Sequence, residues 1–237
     1  MGAIYLVRHG QAAFGTHDYD RLTDIGFAQA RLLGAYFGAR DIRFDAVYTG
    51  TLRRHAETAR AILEAGAAIG RDQDLQAVAG LDEYNPEALI AALEAASAAL
   101  GPARVPLAAG ARNDPGLMRE HFRRLREALL AWSENRIQPS GMPAWQAFQR
   151  AAVEAVTDAR RRFPDGNVLL VSSGGPIAAI VASALQSPAQ VAIELNLRIR
   201  NSAVTEFTTS ARRHQLICFN TLPHLAAQSD ARLTTYA

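Results

Sequence analysis

Ala3-Ile4-Tyr5-Leu6-Val7-Arg8-His9-Gly10 is a short apolar, β-branched run broken off by an arginine, a histidine and a glycine. Ala3 to Val7 reads as a buried strand, and the change to Arg-His-Gly marks its C-terminal end and the start of a loop. In open α/β sheets, ligands bind just outside the carboxyl ends of strands, so Arg8 and His9 stand where a site is expected. A neutral imidazole, with an ordinary pKa of about 6.5, can attack phosphorus through one nitrogen if the other is held as a donor. The attacked group spreads negative charge over its equatorial oxygens and needs fixed positive charge and N–H donors around it. Arg8 offers a planar fork matching two such oxygens, and a full charge pair at roughly 4 Å is worth about 4 kcal/mol at an effective dielectric of 20. An arbitrary Arg-His pair is more often a core histidine beside a surface arginine; position at a strand end favours the site.

Outward from that strand, helices and strands alternate. Thr23 is an N-cap for a helix with Ile25, Ala28, Leu32, Ala35 and Tyr36 as its apolar face, closing near Gly38. Phe44 to Tyr48 reads as a strand, Leu52 to Ala65 as a helix ended by Gly66, and Glu87 to Leu100 as an alanine-rich helix. Gly101 to Gly116, rich in proline and glycine, reads as a long loop of functional or mobile character. Met118 to Glu134 and Trp145 to Phe163 are helical, the latter with Trp145, Phe148, Ala152, Ala155, Val156, Ala159 and Phe163 on one side. Pro164 to Asn167 turns the chain into Val168 to Val171, the clearest buried strand. Gly174-Gly175-Pro176 then opens a helix, with Pro176 suited to its first position, and Val204 to Thr208 with Gln215 to Phe219 form a closing hairpin. The alternation predicts an α/β three-layer sandwich, a mostly parallel central sheet with helices on both faces.

The chain's 237 residues, 49% hydrophobic and 20% charged, suit one such domain with an inserted segment at about 87–143. A net charge of +2 gives no indication of nucleic-acid binding. Arg160-Arg161-Arg162 and Arg119, Arg123, Arg124 and Arg126 fall at helical spacings and read as solvated faces. Cys218 has no cysteine partner and reads as a small buried hydrophobe in a reducing compartment. No apolar stretch is long enough to span a bilayer, and the N-terminus lacks a basic region before an apolar core, so no membrane partner and a cytoplasmic location are expected.

Three later segments complement Arg8-His9. Tyr48 to Ala59 runs from strand to helix, with Arg53 and Arg54 in the first helical turn, where free N–H groups and the dipole favour anions. Leu81-Asp82-Glu83-Tyr84-Asn85 places two carboxylates after a loop. One would protonate a leaving alkoxide if burial raised its pKa; a solvated turn accounts for the pair equally well. Val171-Ser172-Ser173-Gly174-Gly175-Pro176 joins strand, glycines and helix start as an anion cradle, although a tight αβ turn alone also explains the glycines.

Arg8-His9-Gly10, Leu22-Thr23 with Gly26 and Gln29-Ala30, and Leu52-Arg53-Arg54 with Thr58-Ala59 resemble the histidine phosphatase superfamily, in the branch containing cofactor-dependent phosphoglycerate mutase. The similarity runs in order from Ala3 to about Ala59 and returns at Val168 to Ile180. It implies a single histidine phosphatase-like domain over 1–237 with a phosphoglycerate mutase-like fold, and phosphorylation of His9. Arg8, Arg54 and Ser173, with Gln11 in the loop after the motif, would bind the phosphorylated small-molecule substrate. Glu83 would be the general acid, since Asp82 would shift the register. The implied activity is a metal-independent phosphatase of the histidine acid phosphatase type, without cofactor. Many members are dimers, so a homodimer is compatible with it.

The chain also departs from the family pattern. Where a Ser-His-Gly-Gly sequence ends the late strand, Ser172-Ser173-Gly174-Gly175 puts Ser173 in the place of a second pocket histidine. A serine hydroxyl can donate a hydrogen bond but carries no charge, which removes transition-state stabilisation. Gly15 stands where asparagine is common, and the loop to Leu22 is shorter than in the mutases and lacks their further phosphate-contacting arginine, which disfavours a mutase. His17, His55 and His224 are candidates to compensate, although each reads more readily as a surface residue. Two other functions stay open. Without the second histidine the chain would be a non-catalytic phospho-ligand binder, and Ser173 at a strand-to-helix turn suggests a serine esterase, against which stands the missing Gly-x-Ser-x-Gly spacing. Metal-ligand spacings such as His-Glu-x-x-His are absent.

Overall fold

A computed structural model describes residues 2–13, 18–69, 74–98, 115–209 and 214–236. Its centre is β1 (Gly2–Arg8), which pairs in parallel with β6 (Asn167–Ser172) and antiparallel with β7 (Val204–Thr209). β3 (Ala46–Thr49) lies parallel to β6, β5 (Gln76–Ala77) parallel to β3, and β8 (His214–Thr221) antiparallel to β7. The resulting order is β5-β3-β6-β1-β7-β8, beside a two-stranded pair of β2 (Arg43–Phe44) and β4 (Ala68–Ile69). The register pairs Arg8 with Ser172, and both Val7 and Thr49 with Val171. The carboxyl ends of three parallel strands therefore finish level, delivering His9, Ser173 and Gly50 to one edge of the sheet.

Strand residues alternate between two cores, as a period of two requires. Ile4 and Leu6 face α5 (Trp145–Arg162) and α6 (Gly174–Ala184), packing with Val156 and Ile177. Val7, Val47 and Val171 face α1 (Asp24–Gly38) and α2 (Arg53–Glu64), packing with Leu33 and Ile62. The three-layer expectation is met. A third cluster joins α3 (Pro86–Ala98) and α4 (Pro115–Ser133) to α5, α6 and α7 (Ala189–Asn196) around Trp132.

Several local expectations need correction. Thr23 does cap α1, accepting from Gly26 N at 3.1 Å. The buried face, however, is Gly26, Gln29, Ala30, Leu33, Gly34 and Phe37, not the stripe through Ile25, Leu32 and Tyr36. A Cβ at Gly26 would collide with the backbone carbonyl of Gln11, so the close approach of α1 to the loop after β1 needs a residue that carries no apolar signal. Gln29 is buried because its amide is satisfied, accepting from Gln11 N at 2.8 Å and donating to Leu233 O at 2.8 Å and Thr235 Oγ1 at 2.9 Å. Pro176 occupies the third position of α6, not the first. Helix α7 was not anticipated, and Cys218, on edge strand β8, is only half-buried. Most of the arginines read as solvated do form exposed ion pairs, but Arg124 is 12% exposed and joins α4 to α3 through Glu94 at 3.1 Å. Most of the Gly101–Gly116 loop, together with Gly15 and His17, lies outside the described residues.

Candidate active site

His9 follows β1 directly and is held from both sides. Its N–H donates to Ser172 O at 2.9 Å, and its carbonyl accepts from Ser202 N at 3.2 Å and Asn201 Nδ2 at 3.3 Å. The ring is 4% exposed, with Nδ1 2.7 Å from Gly10 O. A carbonyl can only accept, so Nδ1 carries the proton and Nε2 keeps its lone pair. Arg54 Nε donates to that Nε2 at 3.2 Å. Burial first, then the charges of Arg54 and Arg8, hold the His9 pKa well below its ordinary value. His9 is thus neutral, the form a nucleophile requires.

Arg54 sits in the first turn of α2, 4% exposed, and spends its guanidinium three ways: Nε on His9, one terminal nitrogen on Asp20 Oδ1 at 2.8 Å, the other 3.5 Å from Ser173 Oγ. Asp20 also accepts from the Arg53 and Arg54 backbone N–H groups at 2.8 and 3.4 Å. The α2 terminus expected to cradle phosphate therefore holds a carboxylate of the protein itself. Arg8 is 7% exposed; one terminal nitrogen donates to Ile199 O, and Nε is buried without a partner among the described residues.

Glu83 accepts from Gly175 N and from its neighbour Tyr84 N, both at 3.2 Å, so the N-terminus of α6 likewise receives a carboxylate. Burial raises the Glu83 pKa, opposed by these N–H groups and by Arg54 and Arg8. Its neighbour in the acidic pair is elsewhere: Asp82 takes Thr51 N and Thr51 Oγ1, each at 2.6 Å.

His9, Arg8, Arg54 and Glu83 line one cavity of about 720 Å³, whose remaining wall is largely aromatic and aliphatic, including Tyr19, Tyr84, Phe122 and Leu125. Gln11 is not on that wall; its side-chain oxygen accepts from Thr23 Oγ1 at 2.8 Å and ties the loop to α1. Ser173 lies behind Arg54 with no exposed surface. The expectation that His55 and His224 sit at the surface is wrong. His55 is 0% exposed with Nε2 2.7 Å from Ser173 Oγ, and its ring centroid is 5.6 Å from that of His9. His224 is 6% exposed with Nε2 2.9 Å from Ser202 Oγ, backing the residue that holds the His9 carbonyl. Sequence reasoning also passed over Asp20 and Tyr19, whose ring lies 5.1 Å from the Arg54 guanidinium carbon. Neither belongs to a motif. Tyr236 reaches the cavity through the C-terminal segment, which Asn201 and Gln29 pin down.

The family model of the histidine phosphatase superfamily (branch 1) matches residues 4–89 and 113–222. A 2,3-bisphosphoglycerate-dependent phosphoglycerate mutase from Methylobacterium sp. (strain 4-46) is 41% identical over 68 residues, 26% of this chain; the chain spans about a third (32%) of the length of that curated relative. Among solved structures, YhfR of Bacillus stearothermophilus is similar with a TM-score of 0.65 at 19% identity, covering 95% of this chain and all (100%) of that one. A mutant phosphoserine phosphatase from Entamoeba histolytica in complex with phosphoserine gives 0.62 at 18% identity over 95% of this chain and 100% of that one. A putative alpha-ribazole-5'-P phosphatase from Escherichia coli K-12 gives 0.61 at 20% over 93% and 96%. At these identities the solved structures establish the phosphoglycerate mutase-like fold.

Proposed function

Since the chain belongs to the histidine phosphatase superfamily (branch 1), a family of phosphoryl-transfer enzymes, we propose that it hydrolyses phosphomonoesters without a metal, through a phosphohistidine on His9. The observation that carries this is the His9 ring. With Nδ1–H committed to Gly10 O, the one lone pair of Nε2 accepts from Arg54 Nε in the empty site and is freed for phosphorus when Arg54 turns to the incoming oxygens. His9 Nε2 attacks phosphorus in line while Arg8 and Arg54 hold the equatorial oxygens, an acceptor that would also satisfy the buried Arg8 Nε–H. Glu83, whose pKa burial raises, serves as the general acid and gives a proton to the departing alkoxide as the P–O bond breaks. Water then attacks the phosphohistidine, passes a proton to the Glu83 carboxylate, and releases phosphate with the His9 lone pair restored.

Arg8 and Arg54 are the only arginines lining the cavity among the described residues. Both are engaged by the phosphoryl group, which leaves Phe122, Leu125 and Tyr84, with His121, Asn85 and Glu87 among the polar residues beside them, to meet the leaving group. Esters of bulky apolar or aromatic alcohols suit that wall better than small acids do. The identity with a mutase segment favours a second function, phosphoglycerate mutation, in which the phosphoryl group returns to the same small acid.

Turnover of p-nitrophenyl phosphate and 1-naphthyl phosphate in EDTA, with wild type and His9→Ala, tests the proposal. Metal-independent hydrolysis lost in the variant supports it, and equal turnover by both proteins overturns it. Interconversion of the phosphoglycerates without net phosphate release would establish the mutase instead.

A further inference from the structure

A buried histidine on α2 and a buried serine before α6 meet beside the nucleophile, and the mechanism above leaves the histidine unused. Ser173 Oγ lies 2.7 Å from His55 Nε2 and 3.5 Å from a terminal nitrogen of Arg54, and neither Ser173 nor His55 has exposed surface. On the far side of the imidazole, Nδ1 is buried without a hydrogen bond among the described residues, 3.9 Å from Asp82 Oδ1. The spacing is built in: a Cβ at Gly50 would collide with His55 Nδ1 and stand 2.5 Å from Asp82 Oδ1.

We propose that Ser173 and His55 act as one unit in place of a cationic pocket imidazole: when a phosphoryl group enters, His55 takes up a proton and Ser173 joins it to Arg54, which faces the oxyanion. The inference rests on the phosphoryl-site assignment of His9, Arg8 and Arg54. In the occupied state Nε2–H donates to Ser173 Oγ, whose second lone pair accepts from Arg54, so the added charge stands behind the guanidinium that lines the cavity. The second ring N–H turns to Asp82, giving the orphaned Nδ1 a partner. Only an N–H bond forms, and the proton comes from solvent or from the monoanionic ester.

The charges around His55 explain why the change waits for the anion. Burial first, and then Arg54 on its own helix, oppose a proton on the ring, holding the pKa of the free site at about 3. Neutral His9 faces it from the end of β1, Ser173 from the start of α6, and Asp82 from the segment before α3, with both carboxylate oxygens already accepting from Thr51. Glu83, the other carboxyl at the site, is bound to Gly175 N and lines the cavity. An entering phosphoryl group is the one large negative charge that reverses this balance. A serine nucleophile served by His55 is the poorer account, because Ser173 is closed to solvent and absent from the cavity wall, which His9 lines.

Tungstate, an oxyanion that carries no proton at neutral pH, is titrated calorimetrically into the full chain in two buffers of different ionisation enthalpy. Glu83→Gln serves as the background, so that carboxyl uptake is absent. Adding His55→Gln should lower proton uptake by about one per bound anion and weaken tungstate binding by about 10- to 100-fold. Ser173→Ala, which keeps His55 and only shortens a side chain, should lower the uptake likewise and serves if the glutamine variant does not fold. Unchanged uptake in either folded variant overturns the relay while leaving the phosphoryl site standing. Failure of tungstate to bind the parent protein overturns both.

Discussion

Arg54 Nε meets the His9 Nε2 lone pair across 3.2 Å, so in the empty site one guanidinium occupies the nucleophilic lone pair, and it releases that pair when it turns to the phosphoryl oxygens. Lysine carries the same charge as a single point on a flexible stem and cannot contact His9, Asp20 and Ser173 together. Arg54→Lys should therefore lower kcat/KM by about 10²- to 10³-fold, with an unchanged circular dichroism spectrum. Retained activity would remove Arg54 from the mechanism.

Glu83 makes a prediction about leaving groups. An alkyl alcohol needs a proton as it departs, whereas nitrophenolate does not, so Glu83→Gln should reduce turnover of alkyl phosphates by about 10²- to 10⁴-fold and that of p-nitrophenyl phosphate far less. Burial raises the folded-state pKa of this carboxyl. The stability it contributes is therefore present in acid and lost as pH rises through the raised value. Glu83→Gln should accordingly melt at a higher temperature than wild type at neutral pH, with the gap closing below the ordinary glutamate pKa.

The buried histidines run the opposite way. Burial brings His55 to about 3 and His224 to about 4, against 6.5 in the unfolded chain. Their contribution is complete above 6.5 and is lost as pH falls through about 4 for His224 and about 3 for His55, because the unfolded chain binds those protons first. Melting temperature should drop across that interval, and His224→Gln should flatten the drop; a curve identical to wild type would contradict the burial argument.

Trp132 anchors the helices that carry the cavity wall. It is fully buried, edge-on to Trp145 at 5.2 Å, near Phe148 at 5.4 Å, and its Nε1 donates to Pro143 O at 3.1 Å. Trp132→Ala should cost about 3–5 kcal/mol by urea denaturation and raise KM for aromatic esters, because Leu125 and Phe122 on α4 lose their footing.

What could be read from the chain alone was what is written locally. The run Ala3–Val7 ending in Arg8-His9, and the strand-to-helix turns at Thr49–Arg54 and Ser172–Pro176, gave the sheet, its two helical layers and most of the cavity's charged side chains. The face of α1 was misread because its contacts depend on Gly26 and Gly34, which have no side chain, and on Gln29, whose burial depends on partners more than 200 residues away, Leu233 and Thr235. His55 lies in the polar sequence Arg53-Arg54-His55-Ala56-Glu57 and looks solvated until Ser173 and Asp82 close over it. Asp20 and Tyr19 reach Arg54 only through tertiary structure. Helix α7, eight residues long behind Pro188, offers little periodicity to detect.

The central claim is that His9 Nε2 becomes covalently bound to phosphorus. The most direct measurement is alkaline quench of a single turnover within milliseconds of mixing, followed by peptide mass spectrometry. Phosphate on His9, stable to base and lost in acid, rising and decaying at rates that reproduce kcat, is the predicted result. Turnover with no phosphoryl group on His9 at any time, or with the group on Ser173 instead, would contradict it.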